Sequence, residues 1–161
     1  QPGVPVVASL LDQTAAGEMA EIIADPVQRS AHIEAIAAFA RQYDFEGIDI
    51  DYENFAFKDD RGTWAETRPN FVTFVEELNA RLATDGRILV VTVPPIYDTG
   101  TTQDSGYWVY DYGALVDHVD ALCIMAYDYC NTSSEPGPVA PRAWWRASST
   151  PPPIAAGGSE K

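Results

Sequence analysis

The sequence predicts an α/β fold in which parallel strands alternate with helices. Four strand-like segments, residues 4–10, 46–53, 87–93 and 121–127, are separated by stretches with the apolar spacing of helices. Their near-continuous apolar character is typical of parallel strands covered by helices. Four such units make half of a (β/α)8 barrel, which typically needs about 250 residues. An open doubly wound sheet is the alternative that the pattern alone leaves open.

The first two helices are predicted between the first and second strands. A short helix is expected over residues 17–24, and a longer one follows Asp25. Asp25 suits the N-cap, Pro26 suits the first helical position, and Gln28 completes a capping-box pattern. The apolar side chains of this helix repeat at the i, i+3, i+4, i+7 spacing of a packed face. They are Ile33, Ile36, Ala37 and Ala40.

Two further helices are predicted between the last three strands. An irregular aromatic loop over residues 54–66 is followed by Pro69, which is expected to open a helix that ends at Asp85-Gly86. A short helix near residues 111–118 then leads into the last strand. The buried face of the helix after Pro69 is expected to consist of Phe71, Phe74, Val75, Leu78 and Leu82.

Length and composition favour one globular domain. The 161 residues are 46% hydrophobic and 21% charged, with a formal net charge of −14. An acidic chain disfavours nucleic acid and anionic membranes as partners, and no apolar run approaches the ~20 residues of a transmembrane helix. The first residues show no signal peptide. Residues 1–146 are expected to form the folded domain, and residues 147–161, rich in Pro, Gly and Ser, a disordered tail.

The two cysteines give little information about the redox environment. Cys123 and Cys130 are seven residues apart, which corresponds to roughly 20 Å of strand. Bridged Cα atoms lie within about 7 Å of each other, so a disulfide is not expected unless the chain turns sharply after Asp128. Cys123 is interpreted as a small core residue.

Three carboxylates occupy alternate positions of the second strand. Asp49, Asp51 and Glu53 share one face of residues 46–53, roughly 6–7 Å apart. The opposite face carries Ile48, Ile50 and Tyr52. Acids on a buried strand are costly unless they are paired or protonated, which points to coupled carboxyls of the kind used in acid catalysis. A divalent metal site is the alternative. Gly47 would allow a close approach by a neighbouring strand.

Two motifs carry a resemblance to a known family. Glu46-Gly47-Ile48-Asp49-Ile50-Asp51-Tyr52-Glu53 resembles the D-G-x-D-x-D-x-E signature on the fourth barrel strand of glycoside hydrolase family 18, the chitinase family. It departs from that signature only at Glu46. Met125-Ala126-Tyr127-Asp128 resembles the M-x-Y-D segment of the sixth strand, and residues 134–141 are similar to a loop of bacterial members related to spore-cortex glucosaminidases.

The resemblance covers the middle of a catalytic domain. It implies that the chain forms about strands three to six of a TIM (β/α)8 barrel. The S-x-G-G element that many members carry on strand three is absent, because the sequence there is Ser9-Leu10-Leu11-Asp12. Trp144 and Trp145 do not occupy the place of the family's strand-eight tryptophan.

The resemblance also implies roles for the matching residues. Glu53 would act as general acid and then base, in a retaining mechanism in which the substrate's own N-acetyl carbonyl attacks the anomeric carbon. Asp51 would bind the acetamide N–H, and Asp49 would share a proton with Asp51. Tyr127 would orient the acetamide oxygen.

Substrate contacts are expected from three further residues. Met125 is expected to form a wall of the sugar pocket, and Asp128 to bind a sugar hydroxyl or the acetamide, if it is not simply solvated at a strand end. Aromatic rings after the second and third strands could stack on sugars, and Tyr97 is the candidate chosen among them. That set is Phe55, Phe57, Trp64, Tyr97, Trp108 and Tyr110.

The expected partner is a polysaccharide that contains N-acetylglucosamine, with no cofactor, no metal, no nucleic acid and no membrane. The resemblance implies an extracellular protein. His118, beside Asp117 and Asp120, is interpreted as structural and not as a metal ligand.

Two alternatives remain open. The chain could be a non-catalytic carbohydrate-binding relative, although such proteins usually lose the acid at the Glu53 position. It could also be an inactive partial barrel, whose open sheet edges would favour self-association.

Overall fold

The computed structural model describes residues 3–96 and 107–148. The predicted alternation of strands and helices is confirmed. Short 3₁₀ turns at Arg61–Thr63 and Val116–His118 flank the longer elements. In chain order the elements are β1 (Val7–Leu11), α1 (Glu18–Ala24), α2 (Pro26–Gln42), β2 (Gly47–Asp51), α3 (Asn54–Phe57), α4 (Trp64–Ala83), β3 (Ile88–Val93), α5 (Tyr112–Leu115), β4 (Ala121–Ile124) and α6 (Arg142–Ser148).

The four strands form one parallel sheet in the order β1-β2-β3-β4. Ser9 pairs with Asp49, and Asp49 pairs with Val90, so the acidic strand lies in the interior of the described sheet. A doubly wound sheet reverses its strand order at a switch point, and no reversal occurs among these four strands. Sequential order is what an arc of a (β/α)8 barrel requires.

The helices cover one face of the sheet. On that face the side chains of the central strands β2 and β3 are buried and those of the edge strands β1 and β4 are partly buried, and α4 supplies much of the layer above them. On the opposite, concave face Ser9 and Leu11 are exposed, while Asp49, Asp51 and Thr92 are half-buried. Burial on a single face distinguishes the barrel arc from the doubly wound alternative. The buried strand residues are Ile48, Ile50, Leu89, Val91 and Val93.

Cys123 lies on the concave face and is exposed, so its interpretation as a core residue is wrong. Leu122 and Ile124, its neighbours in β4, pack against the core instead. The alternation of side chains therefore turns Cys123 away from the helices. Cys123 and Cys130 are both free thiols.

The start of α4 differs from the prediction. The helix begins at Trp64 and contains Pro69, instead of opening there. Trp64 is fully buried, and its indole N–H donates to the carbonyl of Phe55 at 2.6 Å. This hydrogen bond anchors the first helical turn. Pro69 has no backbone N–H, so the helix continues through it with one hydrogen bond fewer.

The predicted N-cap and buried face of α2 are confirmed, but the capping box is not completed by Gln28, because the backbone N–H of Asp25 donates to the carbonyl of Glu21 at 3.1 Å. The Asp25 carboxylate accepts from the backbone N–H groups of Val27 (3.0 Å) and Gln28 (2.8 Å). Arg29 pairs with Glu77 of α4 at 2.8 and 3.0 Å and so links the two helices. None of the helices in the described residues combines the length and apolarity needed to cross a bilayer.

Two expectations about the ends of the fold stay predictions. The tail expected over residues 147–161 lies outside the described residues except for Ala147 and Ser148, which belong to α6. Strands β1 and β4 form the two edges of the described sheet, and self-association through them is untested.

We expect Gly47→Ala to destabilise the chain. A Cβ at position 47 would lie 2.4 Å from Cγ1 and 2.7 Å from the carbonyl oxygen of Ile88 in β3, and the backbone oxygen cannot move aside cheaply. Overpacking of this kind costs about 1–3 kcal/mol. Urea unfolding measures the change. Gly113→Ala is the control, because its Cβ would make only ordinary contact with Asp111. Equal stabilities of both variants would contradict the packing argument.

Candidate active site

The acidic row lies at the carboxyl end of β2. Asp49 and Asp51 extend from the strand onto its concave face, and Glu53 follows two residues later, immediately before α3. All three are half-buried. Active sites of (β/α)8 barrels lie at this end of the strands, since the loops that follow the strands converge there.

Asp49 is held by a residue of the next strand. The hydroxyl of Thr92 in β3 donates to Asp49 Oδ1 at 2.9 Å. Thr92 was not among the predicted site residues, although its position in the apolar run of β3 places it on the same face as the acids. Proton sharing between Asp49 and Asp51 stays a prediction.

Asp51 carries a buried oxygen with no donor. Its Oδ1 accepts no hydrogen bond from the described residues. Burial raises the pKa of Asp51, and the negative charge of Asp49 raises it further. An unpartnered buried carboxylate oxygen is costly, so Asp51 is suited to receive an N–H donor from a ligand.

The pKa of Glu53 is also raised, first by burial and then by the charge of Asp51. Burial and the charge of Asp51 therefore favour the protonated form of Glu53. A general acid works best when its pKa is near the working pH, so this shift has the direction that acid catalysis requires.

The residues on either side of Glu53 are each held by a distant part of the chain. The Tyr110 hydroxyl donates to the carbonyl of Tyr52 at 2.7 Å. The side-chain amide of the buried Asn54 donates to the carbonyl of Thr14 at 3.2 Å. These supporting contacts were not predicted, because they join residues 40 to 58 positions apart.

Tyr52 anchors the reverse side of the strand. It is buried, as the alternation predicted, and its hydroxyl lies 2.8 Å from Nε2 of His32 in α2. Its ring stacks on Phe74 of α4, with centroids 6.0 Å apart and an interplanar angle of 15°. Because Asp51 and Glu53 flank Tyr52 in the chain, this packing fixes the direction in which the acids point.

The segment after β4 turns earlier than predicted. The strand was expected to continue to residue 127, but it ends at Ile124. The N–H groups of Ala126 and Tyr127 donate to carbonyls two residues back, at 2.8 and 2.9 Å, and Asp128 adopts a left-handed conformation with φ 63°. Such backbone is uncommon outside glycine and often occurs at functional sites.

The turn places Tyr127 beside the acids. The Tyr127 side chain is 51% exposed, and its pKa is raised by partial burial and by the charges of Asp51, Glu53 and Asp128. Tyr127 and Glu53 both line a cleft of about 600 Å³, as do Met125 and Asp128. Two segments 74 residues apart thus meet at one site.

The remaining aromatic candidates divide between the core and the surface. Phe55, Trp64 and Tyr110 are fully buried, so they cannot stack on a sugar in this structure. Trp108 lies under the guanidinium of Arg68, 4.4 Å from its ring centroid. Phe57 lines the cleft. Tyr97 lies outside the described residues.

In the part of the chain that the structure describes, no group of three His, Cys, Asp or Glu side chains is placed to hold a metal ion. Asp120 instead accepts the backbone N–H of Leu89 at 2.8 Å.

Comparison with known proteins places the chain in a family. The family model described as glycosyl hydrolases family 18 matches residues 1–156. The chain belongs to glycoside hydrolase family 18. The predicted resemblance is thereby confirmed, and the sheet corresponds to part of the family's TIM barrel.

Similar proteins include a Bacillus subtilis (strain 168) protein named "Putative sporulation-specific glycosylase YdhD", 31% identical over 147 residues, which are 88% of this chain and 32% of that protein. Its crystal structure matches 90% of this chain and 46% of the solved chain, with a TM-score of 0.74 and 27% identity. The chain therefore spans less than half of the length of these relatives.

Two solved chitinases show the same fold. The chitinase of Chromobacterium violaceum matches 88% of this chain and 42% of its own, with a TM-score of 0.70 and 28% identity. The second is catalytic domain 2 of the Ostrinia furnacalis group II chitinase, solved as a mutant in complex with penta-N-acetylchitooctaose, (NAG)5. The match covers 86% of this chain and 36% of that chain, with a TM-score of 0.68 and 23% identity.

We expect Asp51→Asn to stabilise the chain at neutral pH. The pKa of Asp51 in the folded chain lies above its unfolded value. The contribution of this carboxyl to the free energy of unfolding is therefore complete below the unfolded pKa, and it is lost as the pH rises through the folded pKa. The advantage of the variant should be largest near pH 7 and shrink as the pH falls towards about 4.

Urea unfolding of both proteins across this pH range measures the difference. Asp117→Asn, at an exposed position, is the matched control. A variant that is less stable than the native chain at pH 7, or a difference that does not change with pH, would refute the assigned burial of charge at Asp51.

Proposed function

We propose that this family 18 chain carries the acid machinery of a retaining glycosidase that cuts β-1,4 bonds next to N-acetylglucosamine, in chitin or peptidoglycan-type glycans. The observation that carries the proposal is that Glu53 and Tyr127 line the same cleft, with Asp51 near enough for its charge to raise the pKa of Tyr127. Family membership and the (NAG)5 complex of the Ostrinia enzyme support a substrate of N-acetylglucosamine units.

In the first step Glu53 donates its proton to the glycosidic oxygen. The bond between the anomeric carbon and that oxygen breaks as the substrate's acetamide oxygen attacks the same carbon. The products are a protonated leaving sugar and a cyclic oxazolinium ion. In the second step the ionised Glu53 removes a proton from water as the water oxygen attacks the anomeric carbon. The bond from that carbon to the acetamide oxygen breaks, which opens the oxazolinium ring, regenerates the acetamide and gives the original anomeric configuration.

Asp51 and Tyr127 would hold the acetamide during these steps. The unpartnered Asp51 Oδ1 would accept its N–H, which aligns the carbonyl oxygen and compensates the positive charge of the intermediate. The Tyr127 hydroxyl would donate to the acetamide oxygen. Asp49, held by Thr92, supplies a second negative charge behind Asp51.

Carbohydrate binding without turnover is the second candidate. The observation that favours it is the uncovered concave face of the described sheet, together with the match to less than half of each solved relative. Such a chain would keep the sugar contacts of the cleft but lack the enclosure that strengthens electrostatic catalysis.

A polymeric glycan substrate also supports our proposal of an extracellular location.

We expect Glu53→Gln to abolish hydrolysis of an N-acetylglucosamine oligomer while leaving oligomer binding measurable. The amide keeps the shape of the side chain but cannot donate the required proton. Loss of a general acid lowers rates by about 10²–10⁴. Product release measured by chromatography, with calorimetric titration for binding, tests both parts.

Glu76→Gln is the matched control for this substitution, because it makes the same chemical change on an exposed position of α4. Turnover that survives in Glu53→Gln would disprove the mechanism. Binding by the native chain with no turnover in any variant would favour the second candidate.

We also expect cleavage to require the N-acetyl group of the substrate. The chain should not cut the de-acetylated oligomer, because no acetamide oxygen is then available to attack the anomeric carbon. A chelator should leave the rate unchanged. Rates are compared on matched acetylated and de-acetylated oligomers. Equal rates on the two, or inhibition by chelator that added metal reverses, would contradict the substrate-assisted mechanism.

A further inference from the structure

Two buried tyrosines lie two residues apart where α5 begins. Tyr110 is fully buried, Tyr112 is 3% exposed, and the hydroxyl of each holds the backbone of another element. Burial raises the pKa of both phenols, and the charges of Glu53 and Asp51 raise that of Tyr110 further. Both hydroxyls therefore keep their protons and remain hydrogen-bond donors at the pH values at which carboxyls titrate.

The two hydroxyls bind the ends of neighbouring strands. Tyr110 donates to the carbonyl of Tyr52 at 2.7 Å, and Tyr112 donates to the carbonyl of Pro94. Tyr52 and Pro94 are the first residues after β2 and β3, which pair with each other in the sheet. The Tyr112 oxygen also accepts the backbone N–H of Ile96 at 3.1 Å. One short segment therefore holds the carboxyl ends of two adjacent strands.

Arg68 of α4 fixes this segment to the helix layer. Its guanidinium pairs with the Asp111 carboxylate at 2.7 Å, donates to the carbonyl of Trp108 and lies 4.4 Å from the centroid of the Trp108 ring. The Tyr110 ring packs edge-to-face on Phe71 of the same helix, with an interplanar angle of 85°. The two hydroxyls are therefore carried by a segment that is itself anchored on both sides of Tyr110.

The Tyr110 contact acts directly on the backbone of Glu53. The Tyr52 carbonyl and the N–H of Glu53 belong to one planar peptide unit, so holding the oxygen also holds the Glu53 nitrogen. On the other side, the Glu53 carbonyl accepts the N–H groups of Ala56 and Phe57 at 3.0 and 3.1 Å. The peptide units before and after the Glu53 Cα are therefore both held, and together they set the direction of its Cα–Cβ bond.

The Tyr112 contact acts on a wall of the cleft. Pro94 and Pro95 line the cleft together with Glu53. Proline has no backbone N–H with which to bind a neighbouring segment. The carbonyl of Pro94 and the N–H of Ile96, which lie on either side of Pro95, meet at the Tyr112 oxygen. Tyr112 thus supplies the hydrogen bonds that hold this wall in place.

We propose that Tyr110 and Tyr112 are positioning residues of the active site. Tyr110 orients Glu53, and Tyr112 holds the wall formed by Pro94 and Pro95, so that one segment sets the distance between the acid and the substrate's place in the cleft. This inference rests on the proposed function, because it takes Glu53 as the acid. Neither tyrosine lines the cleft. Their effect is indirect, through a displacement of the groups they hold, and a displacement of 1 Å can lower a rate about a hundredfold.

The titration of Glu53 tests the role of Tyr110 without any need for turnover. Carbon NMR of the whole chain, labelled at its glutamate carboxyls, gives this pKa, and loss of the signal in Glu53→Gln assigns it. Tyr110→Phe keeps the ring but removes the hydroxyl, so Glu53 should move towards solvent and its pKa should fall towards the ordinary glutamate value. The charge of Asp51 acts on Glu53, so the two titrations are fitted together.

Asp25→Ala is the control for lost stability. It removes the cap of α2, which lies outside the active site, and should leave the Glu53 pKa unchanged. An unchanged Glu53 pKa in Tyr110→Phe, or an equal fall in Asp25→Ala, would overturn the role of Tyr110.

Tyr112→Phe should weaken substrate binding instead. Calorimetric titration with an N-acetylglucosamine pentamer, in the Glu53→Gln background that keeps the oligomer intact, should show Kd raised about fivefold, because the wall is no longer held ready for the ligand. Tyr110→Phe should leave this Kd nearly unchanged. Tyr43→Phe is the matched control, since it removes the same hydroxyl from a side chain that is 57% exposed. An unchanged Kd in Tyr112→Phe, or no pentamer binding at all, would overturn the role of Tyr112.

Arg68→Gln provides the answer if either tyrosine variant does not fold. It releases the segment from α4 while keeping both hydroxyls. The Glu53 pKa should fall and the pentamer Kd should rise together. No change in either quantity would contradict the assignment of both roles to this segment.

Turnover of the pentamer separates this inference from the proposed function. In steady-state kinetics Tyr110→Phe should lower kcat about tenfold with KM nearly unchanged, whereas Tyr112→Phe should act mainly on KM. A native chain without turnover, in which Tyr110→Phe still lowers the Glu53 pKa, would refute the hydrolase and keep the orienting role. Turnover with the same kcat and the same Glu53 pKa in Tyr110→Phe would do the reverse.

Discussion

The site depends on the alternation of side chains along β2. One strand must place Ile48 and Ile50 in the core and its carboxylates on the opposite face, and any one-residue slip would bury the acids and expose the apolar residues. Pairing with strands on both sides fixes that register. Gly47 contributes by letting β3 approach at the point where the strand begins.

Holding the acids in place costs stability, and the surrounding contacts offset that cost only in part. Thr92 satisfies Asp49, but Asp51 keeps an unpartnered buried oxygen. On the reverse face Tyr52, His32 and Phe74 pack against one another, with ring centroids 5.7 to 6.0 Å apart, and this packing stabilises the strand. The packed Tyr52 on the helix-covered face thus stabilises a strand whose opposite face carries a carboxylate oxygen with no hydrogen-bond donor. Departures of this kind from local optimisation are characteristic of functional sites.

The sequence predicted the parts of the structure that follow from local pattern. The N-cap of α2, the strand alternation and the two family motifs each lie within a short window, so periodicity and residue type suffice to find them. The choice between a barrel arc and a doubly wound sheet did not follow from pattern. It depends on which face the helices cover, and apolar runs such as Ile88–Val93 look the same in both folds.

The errors have specific physical causes. Pro69 is a strong helix-start signal, but the burial of Trp64 and its bond to Phe55 outweighed it. Cys123 has the composition of a core residue, but its position in β4 faces the uncovered side. The aromatic residues after β2 and β3 could not be sorted into core and cleft from sequence, because their burial is set by α4 and by distant loops.

The contacts that hold the site together are the hardest to predict from short stretches of sequence. Tyr110 holds the carbonyl of Tyr52, and Thr14 holds Asn54, across separations of 58 and 40 residues. The first contact holds the backbone before Glu53 and the second holds the side chain of the residue after it, so both restrain the segment that carries Glu53. The raised pKa of Glu53 comes from burial and from Asp51. Any element that covers the concave face of the sheet would increase that burial and raise the pKa further. The fraction of Glu53 that keeps its proton at neutral pH therefore depends on how completely the sheet is enclosed, whereas its position beyond the acidic strand is set by the register of β2.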